Sequence, residues 1–290
     1  MKRTMYHRMV RLFFLSFTII LSGCMVDQEA INVVSREAGS GTRDAFVEKM
    51  KVIDDKGDDI TTVEADVQNS TNGVMQYVAG NPRGIGYLSY GSLNPSVKPL
   101  EIDKVPITEE TIKSGDYSVV RSFNIVWREE ALNELANDFI QFIYSPEGKE
   151  IIESLNYISI GKERQPTLPR SSNNNTLQGQ LTIVGSTSVS PVIEKLAERY
   201  EATHPNVKIN ITSNGSSAGV AAALDGTAHI GMVSRALSDE EQAQLIAVPI
   251  ALDGIAIVVH PSNEHDQLSF DQISDIFKGK ITHWNELGTD

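Results

Sequence analysis

Short apolar segments alternate with amphipathic ones along most of this chain. The apolar segments are rich in Val and Ile and predict strands at residues 31–34, 84–89, 122–127, 181–184, 207–211, 228–233 and 254–260. Apolar residues at helical spacing predict helices at 42–50, 129–144, 146–155, 189–200, 220–224 and 270–277, with another beginning near residue 72. Strands and helices that alternate in this way are typical of an α/β fold.

The alternation stops between residues 161 and 180, where Pro, Ser and Asn dominate and no periodicity remains. This composition predicts a linker. From Cys24 to Asp290 the chain is long enough for two modest lobes or one large domain.

Residues 1–23 have the pattern of an export signal rather than a membrane span. Four basic residues precede the short apolar run 12–21, and Leu21-Ser-Gly-Cys24 follows. The last motif resembles the bacterial lipobox, which implies cleavage before Cys24 and a diacylglyceryl thioether on its sulfur. The protein is then expected on the extracytoplasmic face of the cell membrane, attached through lipid only. The alternative is a plain secretory signal followed by an incidental cysteine; as Cys24 is the only cysteine, no disulfide can form within the chain.

The chain is strongly acidic. Its formal charge is −13, and removing the four basic residues of the signal leaves −17. This charge argues against nucleic acid or an anionic bilayer as a partner, so a bound anion would have to be held by local N–H and hydroxyl donors and a few arginines. The histidines outside the leader show no metal-ligand spacing, and neither a metal nor a cofactor is expected.

Three loops have the composition of an anion site at the start of a helix. In the segment 35–43, Arg36 offers a planar fork for two oxygens, Ser40 and Thr42 offer hydroxyls, and Gly41 allows a close backbone approach. The segments 185–191 and 213–219 repeat the strand, Gly/Ser-rich loop and helix. Each loop alone could be an ordinary glycine turn with a Ser/Thr N-cap, but together they can converge at the carboxyl ends of parallel strands.

A serine hydrolase is the rival hypothesis. Gly215-Ser-Ser-Ala-Gly219 fits the nucleophile-elbow pattern, which would make Ser217 the nucleophile, with Asp253 and His260 following in order. A pattern made of so many small residues often occurs by chance, and the hydrolase hypothesis leaves the Arg36 loop unexplained.

Several motifs together resemble the phosphate-binding lipoproteins of high-affinity phosphate (Pst) ABC transporters. They are Arg36-Glu-Ala-Gly-Ser-Gly-Thr-Arg, Gly185-Ser-Thr-Ser-Val-Ser-Pro, Asn214-Gly-Ser-Ser-Ala-Gly-Val, Ile230-Gly-Met-Val-Ser-Arg and Trp284-Asn-Glu-Leu-Gly. The resemblance implies a two-lobed clamshell of the type II periplasmic-binding-protein class, which captures inorganic phosphate between its lobes and delivers it to ABC permease subunits without being an enzyme. A sensor or adhesin that lacks a permease is the alternative among binding proteins.

The order of the motifs departs from that family, in which the Gly-Ser-Thr-Ser segment opens the mature protein. The two halves are exchanged here, which indicates a circular permutation; the alternative is an artefact of the gene model. We expect one lobe at residues 30–118 plus 254–290, carrying the Arg36 loop, and the other at 119–253, carrying the Gly185 and Gly215 loops and the linker 161–180.

By the resemblance, the expected phosphate contacts are Arg36, Ser40, Gly41, Thr42, Thr187, Ser188, Ser216 and Ser234. Ser234 stands where well-known members have an aspartate that accepts the phosphate proton and thereby rejects sulfate. Discrimination against sulfate would then depend on whether Glu37, Asp44 or Asp253 lies close enough to accept that proton.

Overall fold

The computed structural model describes residues 29–161, 165–168 and 177–288. The signal, Cys24 and most of the predicted linker lie outside the described residues. The strands are β1 (Asn32–Arg36), β2 (Asp66–Gln68), β3 (Gly84–Ser89), β4 (Lys98–Pro99), β5 (Glu101–Ile102), β6 (Val120–Trp127), β7 (Ile158–Ser159), β8 (Gly179–Gly185), β9 (Val207–Ser213), β10 (Ile230–Val233), β11 (Ile246–Val259) and β12 (Gln267–Leu268). The helices are α1 (Gly41–Lys49), α2 (Thr71–Ala79), α3 (Glu109–Ser114), α4 (Glu134–Tyr144), α5 (Pro146–Ser154), α6 (Ser190–Thr203), α7 (Ser216–Asp225), α8 (Asp239–Gln242) and α9 (Phe270–Phe277).

One curled mixed sheet runs through the described part of the chain, in the order β2-β1-β3-β11-β6-β10-β8-β9, with β4 and β7 paired to β11. At one end β1 is parallel to β2 and β3, and at the other β8 is parallel to β9 and β10. Four of these parallel strands, β1, β2, β8 and β9, lead directly into α1, α2, α6 and α7. The fold is therefore α/β, and these helices begin beside the carboxyl ends of their strands.

The long strand β11 connects the two ends of the sheet. Residues 246–254 pair antiparallel with β6, and residues 255–259 pair antiparallel with β3. Asp253 and Arg121 face each other in this ladder, just before β11 changes partner.

The buried apolar residues form two main cores. The Phe46 core draws on residues 33–119, Ile158 and 255–284. The Phe139 core draws on residues 123–157 and 181–251. A smaller apolar group lies between α7 and the sheet around Val126 and Val233. The two ends of the described chain meet at the Phe46 core, since Ile31 N donates to Thr282 O at 2.8 Å and Trp284 N to Glu29 O at 2.8 Å.

Local sequence signals placed several elements correctly. Ser145 caps α5 through its side chain, with Pro146 at the first helical position, as predicted. Three predictions were wrong in extent. The helix predicted for 129–144 begins only at Glu134, after a 3₁₀ turn at 129–131, because Asn133 caps it. The helix predicted for 220–224 spans 216–225, and the strand predicted for 254–260 spans 246–259.

Candidate functional site

Arg36 ends β1 with its side chain buried and its backbone held by Tyr87. Arg36 N donates to Tyr87 Oη at 3.2 Å, and Ser35 Oγ lies 2.8 Å from the same oxygen. Tyr87 also stacks on Phe46, with ring centroids 3.9 Å apart. Burial raises the pKa of Tyr87 to about 12, so its hydroxyl is neutral at physiological pH and can both donate and accept. The fold thus fixes the position of Arg36 through the Phe46 core.

The guanidinium of Arg36 has one occupied edge. Its Nε and Nη2 donate to the two carboxylate oxygens of Glu37, each at 2.8 Å, and Nε also donates to Gln68 O at 3.2 Å. Nη2 reaches across to Thr187 Oγ1 at 3.2 Å. Nη1 makes no hydrogen bond to any residue that the structure describes. Glu37 therefore occupies the Nε/Nη2 edge of the guanidinium that was predicted to bind an anion. The Nη1/Nη2 edge beside Thr187 is the edge that can still bind an oxyanion.

Hydroxyl groups from three loops meet beside this edge. Ser188 Oγ lies 2.9 Å from Thr42 Oγ1 and 2.9 Å from Thr71 Oγ1. Thr71 Oγ1 also lies 3.3 Å from Thr187 Oγ1. These are hydroxyl–hydroxyl contacts, in which each group can turn its proton toward a bound oxygen. Thr42 and Thr71 belong to helices beside the Phe46 core, and the other two residues belong to the loop before α6.

A second hydroxyl cluster lies at the start of α7. Ser234 Oγ is 2.9 Å from Ser186 Oγ and 3.3 Å from Ser216 Oγ, and Ser234 N donates to Ser216 Oγ at 3.0 Å. Gly41 packs directly against it: a Cβ at that position would lie 2.2 Å from Ser216 Oγ. Ser216 and Ser234 are fully buried. The cluster is shielded from bulk solvent, which strengthens its hydrogen bonds.

The backbones of two predicted loops also touch. Ser217 N donates to Gly39 O at 3.1 Å, and Gly215 has φ of +105°, a conformation that side chains rarely adopt. The structure thus brings together Arg36, Gly41, Thr42, Thr187, Ser188, Ser216 and Ser234. Ser40 lies in the same loop, and its Oγ caps α1 by accepting from Arg43 N at 3.4 Å.

Sequence reasoning missed Thr71 and Ser186. Thr71 begins α2 behind the Ser70 cap, in the sequence Asn-Ser-Thr-Asn-Gly, which is a fourth hydroxyl-rich loop between a strand and a helix. Ser186 directly precedes the predicted Thr187. The signal for both was present in the composition of these loops.

None of the three carboxylates considered as proton acceptors is unpaired. Asp253 accepts from Arg121 Nε and Nη2 at 3.0 and 2.9 Å and from Ser89 Oγ at 2.8 Å. Burial raises the pKa of Asp253 and lowers that of Arg121, because both charges are removed from water. Asp44 pairs with Arg235, and Glu37 with Arg36. Of the three carboxylates, only that of Glu37 contacts the expected phosphate site. We call this site the hydroxyl-lined cleft and define it by Arg36, Thr42, Thr71, Thr187 and Ser188.

The triad of the hydrolase hypothesis is not assembled. The Asp253 carboxylate is held by Arg121 and Ser89, and His260 Nδ1 lies 2.7 Å from Ser262 Oγ. Within residues 29–161, 165–168 and 177–288, no hydrogen bond joins Ser217, His260 and Asp253, and no group of three or more His, Cys, Asp or Glu could hold a metal ion. Nor does any helix in those ranges have the length and apolar character needed to cross a membrane.

Comparison with known proteins places this arrangement in a family. Residues 23–147 and 170–290 match the sequence model of the PBP superfamily domain. A protein named phosphate-binding protein PstS 2, from Streptococcus pneumoniae, is 47% identical over 260 residues, which cover 89% of this chain and 87% of that protein. The chain belongs to the PstS family. A crystal structure of a phosphate-binding protein of a phosphate ABC transporter from Streptococcus pneumoniae superposes with a TM-score of 0.70 at 45% identity, covering 89% of this chain and 100% of that one.

Another PstS relative matches over a much shorter stretch. The phosphate-binding protein PstS of Pseudomonas aeruginosa is 33% identical over 139 residues, which are 42% of this chain and 43% of that protein. The family assignment confirms the resemblance drawn from the motifs, and the superposition confirms the α/β periplasmic-binding-protein fold.

Proposed function

We propose that this protein captures inorganic phosphate at the hydroxyl-lined cleft beside Arg36 and delivers it to an ABC permease. The observation that carries the proposal is the convergence of Thr42, Thr71, Thr187 and Ser188 at the Nη1/Nη2 edge of Arg36. The Ser216–Ser234 pair lies beside Gly41 next to them. Hydroxyl donors in a buried site, one bidentate cation and the starts of α1 and α7 together suit a tetrahedral oxyanion. The names of the relatives support phosphate as that oxyanion.

We assign the phosphate contacts to Arg36, Ser40, Gly41, Thr42, Thr187, Ser188, Ser216 and Ser234, and we add Thr71 because its hydroxyl completes the cluster. Arg36 would bind two phosphate oxygens through Nη1 and Nη2, while Glu37 keeps the guanidinium plane fixed. The hydroxyls and the N–H groups at the helix starts would donate to the remaining oxygens. No residue acts as a nucleophile in this scheme, so a catalytic role is not proposed.

The division into lobes is part of the proposal. Residues 30–118 plus 254–290 would form the lobe of the Phe46 core, and residues 119–253 the lobe of the Phe139 core. The membership of the two cores supports this division except at Val119 and Ile158, which pack in the Phe46 core. The lobes would move about β6 and β11 near the Arg121–Asp253 pair. In the closed form, Thr42 and Thr71 of the first lobe meet Ser188 of the second.

We also propose that the order of the halves is a genuine circular permutation. The match to the Streptococcus pneumoniae protein runs through 89% of this chain, whereas the match to the Pseudomonas aeruginosa protein covers 42%. If the two halves of one protein are exchanged relative to the other, an alignment in chain order can match only about half of each chain. The contact of residues 29–31 with 282–284 supports the proposal, since it brings the first and last described segments of the chain together in space.

The lipid anchor on Cys24 and the position on the extracytoplasmic face of the membrane complete the proposed function. Both are supported by the lipobox-like motif, and the position also agrees with a relative described as the phosphate-binding protein of a phosphate ABC transporter. With a formal charge of −17 once the four basic residues of the signal are removed from the −13 of the whole chain, the protein surface is expected to stay off an anionic bilayer. It would touch the membrane through the lipid alone.

Isothermal titration calorimetry tests the binding function. The chain from residue 25, titrated with phosphate, arsenate, sulfate and molybdate, is expected to bind one phosphate tightly. Failure to bind phosphate, or preference for molybdate, would overturn the proposal. Loss of phosphate uptake by cells that lack the protein would separate transport from sensing or adhesion.

A further inference from the structure

Arg235 lies between two carboxylates that come from different parts of the fold. It directly follows Ser234 at the end of β10. Its Nη1 and Nη2 donate to the two oxygens of Glu241 in α8 at 2.7 and 2.8 Å, and its Nε lies 3.1 Å from Asp44 Oδ2 in α1. The Arg235 side chain is 15% exposed. The largely buried guanidinium of Arg235 thus pairs with two carboxylates.

The two ion pairs differ in what they connect. Glu241 and Arg235 both lie within residues 119–253, the proposed lobe of the Phe139 core, and Glu241 is further fixed because its Oε2 accepts from Ser238 N at 2.9 Å in a capping box. Asp44 belongs to α1, whose Phe46 is buried in the other core. The Arg235–Glu241 pair therefore stays within one core region, and the Arg235–Asp44 pair spans both.

The spanning pair lies next to the cleft. Asp44 follows Thr42 by two residues, and Arg235 follows Ser234 by one, so any opening that separates Thr42 from Ser188 must also separate Asp44 from Arg235. Arg235 also lines a cavity of about 520 Å³ whose walls come from both sides, including Lys49 and Leu245. At this cavity the apolar packing between the lobes is interrupted, and the Arg235–Asp44 pair connects the lobes there.

We propose that Arg235 is an interlobe latch: Glu241 holds it in place, and it binds Asp44 only when the lobes are closed, which slows release of the bound anion. This inference rests on the proposed phosphate-binding function. Arg235 does not touch the anion in this scheme; it is a positioning residue that favours the closed form.

Replacing Arg235 and replacing Asp44 should not have equal effects on the closed form. Without Arg235, Asp44, whose side chain is 43% exposed, would keep only Arg43 as a nearby cation while Asp59 repels it, and partial burial already raises the pKa of Asp44. Without the Asp44 charge, Arg235 is still neutralised by Glu241. Removing Arg235 should therefore destabilise the closed form more than neutralising Asp44.

Stopped-flow measurement of phosphate dissociation tests the latch. We expect Asp44→Asn to raise the dissociation rate about fivefold and Arg235→Gln to raise it further, with the association rate changed less than about twofold. The double variant should release phosphate no faster than Arg235→Gln, because both changes remove the same contact. Arg199→Gln is the matched control, since Arg199 pairs with Glu147 on the surface of the Phe139-core region alone, and its release rate should equal that of the wild type.

The outcomes separate the latch from the binding function. If the wild type binds phosphate and its release rate is unchanged in Asp44→Asn and Arg235→Gln, the latch is wrong and the function stands. If the wild type does not bind phosphate, the function itself fails. Should Arg235→Gln not fold, the isosteric Asp44→Asn variant decides alone. Small-angle scattering adds a second readout, because loss of the latch should increase the radius of gyration of the ligand-free protein.

Discussion

The side-chain oxygens of Thr42 and Ser188 lie 2.9 Å apart, although 146 positions separate the two residues along the chain. Thr42 is in the first turn of a helix that packs into the Phe46 core, and Ser188 precedes a helix that packs into the Phe139 core. Their contact means that the two core regions meet at this point. Closure and anion binding are therefore expected to depend on the same few atoms.

Arg36→Lys should weaken phosphate binding by at least about tenfold, because a single ammonium group cannot replace the planar guanidinium that holds Glu37 on one edge and an oxyanion on the other. Calorimetric titration gives the affinity, and circular dichroism checks the fold. Arg199→Lys, the same change on the surface, should leave the affinity unaltered. Equal affinities in both variants would remove Arg36 from the site.

Ser234 sets the expected response to sulfate. Its hydroxyl contacts Ser186 and Ser216 rather than a carboxylate, so the wild type should retain measurable sulfate binding. Ser234→Asp should abolish sulfate binding while sparing protonated phosphate, because a fully ionised oxyanion would face a negative charge. Ser234→Asn is the control of equal size without charge and should still bind sulfate. A wild type that ignores millimolar sulfate would instead point to Glu37 as the acceptor.

Gly41→Ala should prevent full closure. The added Cβ would lie 2.2 Å from Ser216 Oγ and 2.8 Å from Ser234 Oγ, and both contacts cross the cleft. We expect phosphate affinity to fall by more than about tenfold. Thermal stability without ligand should change little, because the lobes can relieve the clash by opening. Gly80→Ala, after α2, meets nothing closer than 3.4 Å and should bind normally. A Gly41→Ala protein with wild-type affinity would show that the cleft does not close as described.

Tyr87 links the stability of the fold to the site. Tyr87→Phe leaves the buried Arg36 N–H without its acceptor, which should cost about 1–3 kcal/mol in the free energy of unfolding. Ser35→Ala keeps that acceptor and should cost less. Denaturant titration measures both, and equal costs for the two variants would argue against the role of the Arg36 N–H bond.

The pKa of Tyr87 gives a pH dependence with a defined sign. Burial raises the pKa from 10.0 to about 12 in the folded protein, so an unfolded chain releases this proton first. The contribution of Tyr87 to stability is complete below pH 10 and is lost as the pH rises to about 12. Denaturation midpoints of the wild type should therefore fall more steeply over this range than those of Tyr87→Phe.

Restoring the unpermuted order tests the proposed permutation. A chain that runs from residue 177 to 288, continues through a short Gly/Ser linker into Glu29 and ends at Gly161 should fold and bind phosphate like the wild type. The expectation follows from the contacts of Ile31 with Thr282 and of Trp284 with Glu29, which hold the joined ends together. A chain that aggregates, while a control with the same linker inserted between residues 168 and 177 folds, would contradict it.

The sequence by itself determined the features that depend on neighbours along the chain. The Ser145–Pro146 helix start, the strand at 84–89 and the Gly/Ser-rich loops before α6 and α7 are local signals, and the structure has them where the pattern put them. The family motifs, which are also local strings, identified the class of protein. The start of α4 was misplaced because apolar spacing continues through 129–133, although Asn133 caps the helix.

Only the tertiary structure decided which partners these groups have. The full length of β11 was not visible in the sequence, because Pro249, Asp253 and Gly254 interrupt its apolar pattern. Pairing with β6 and β3 stabilises the strand across them. Arg36 was expected to offer its whole fork, but Glu37 occupies one edge. Asp253 was a possible proton acceptor until the pairing of β6 with β11 placed Arg121 opposite it. A hydrogen bond or an ion pair is decided by distances between atoms far apart in sequence, and no local pattern contains those distances.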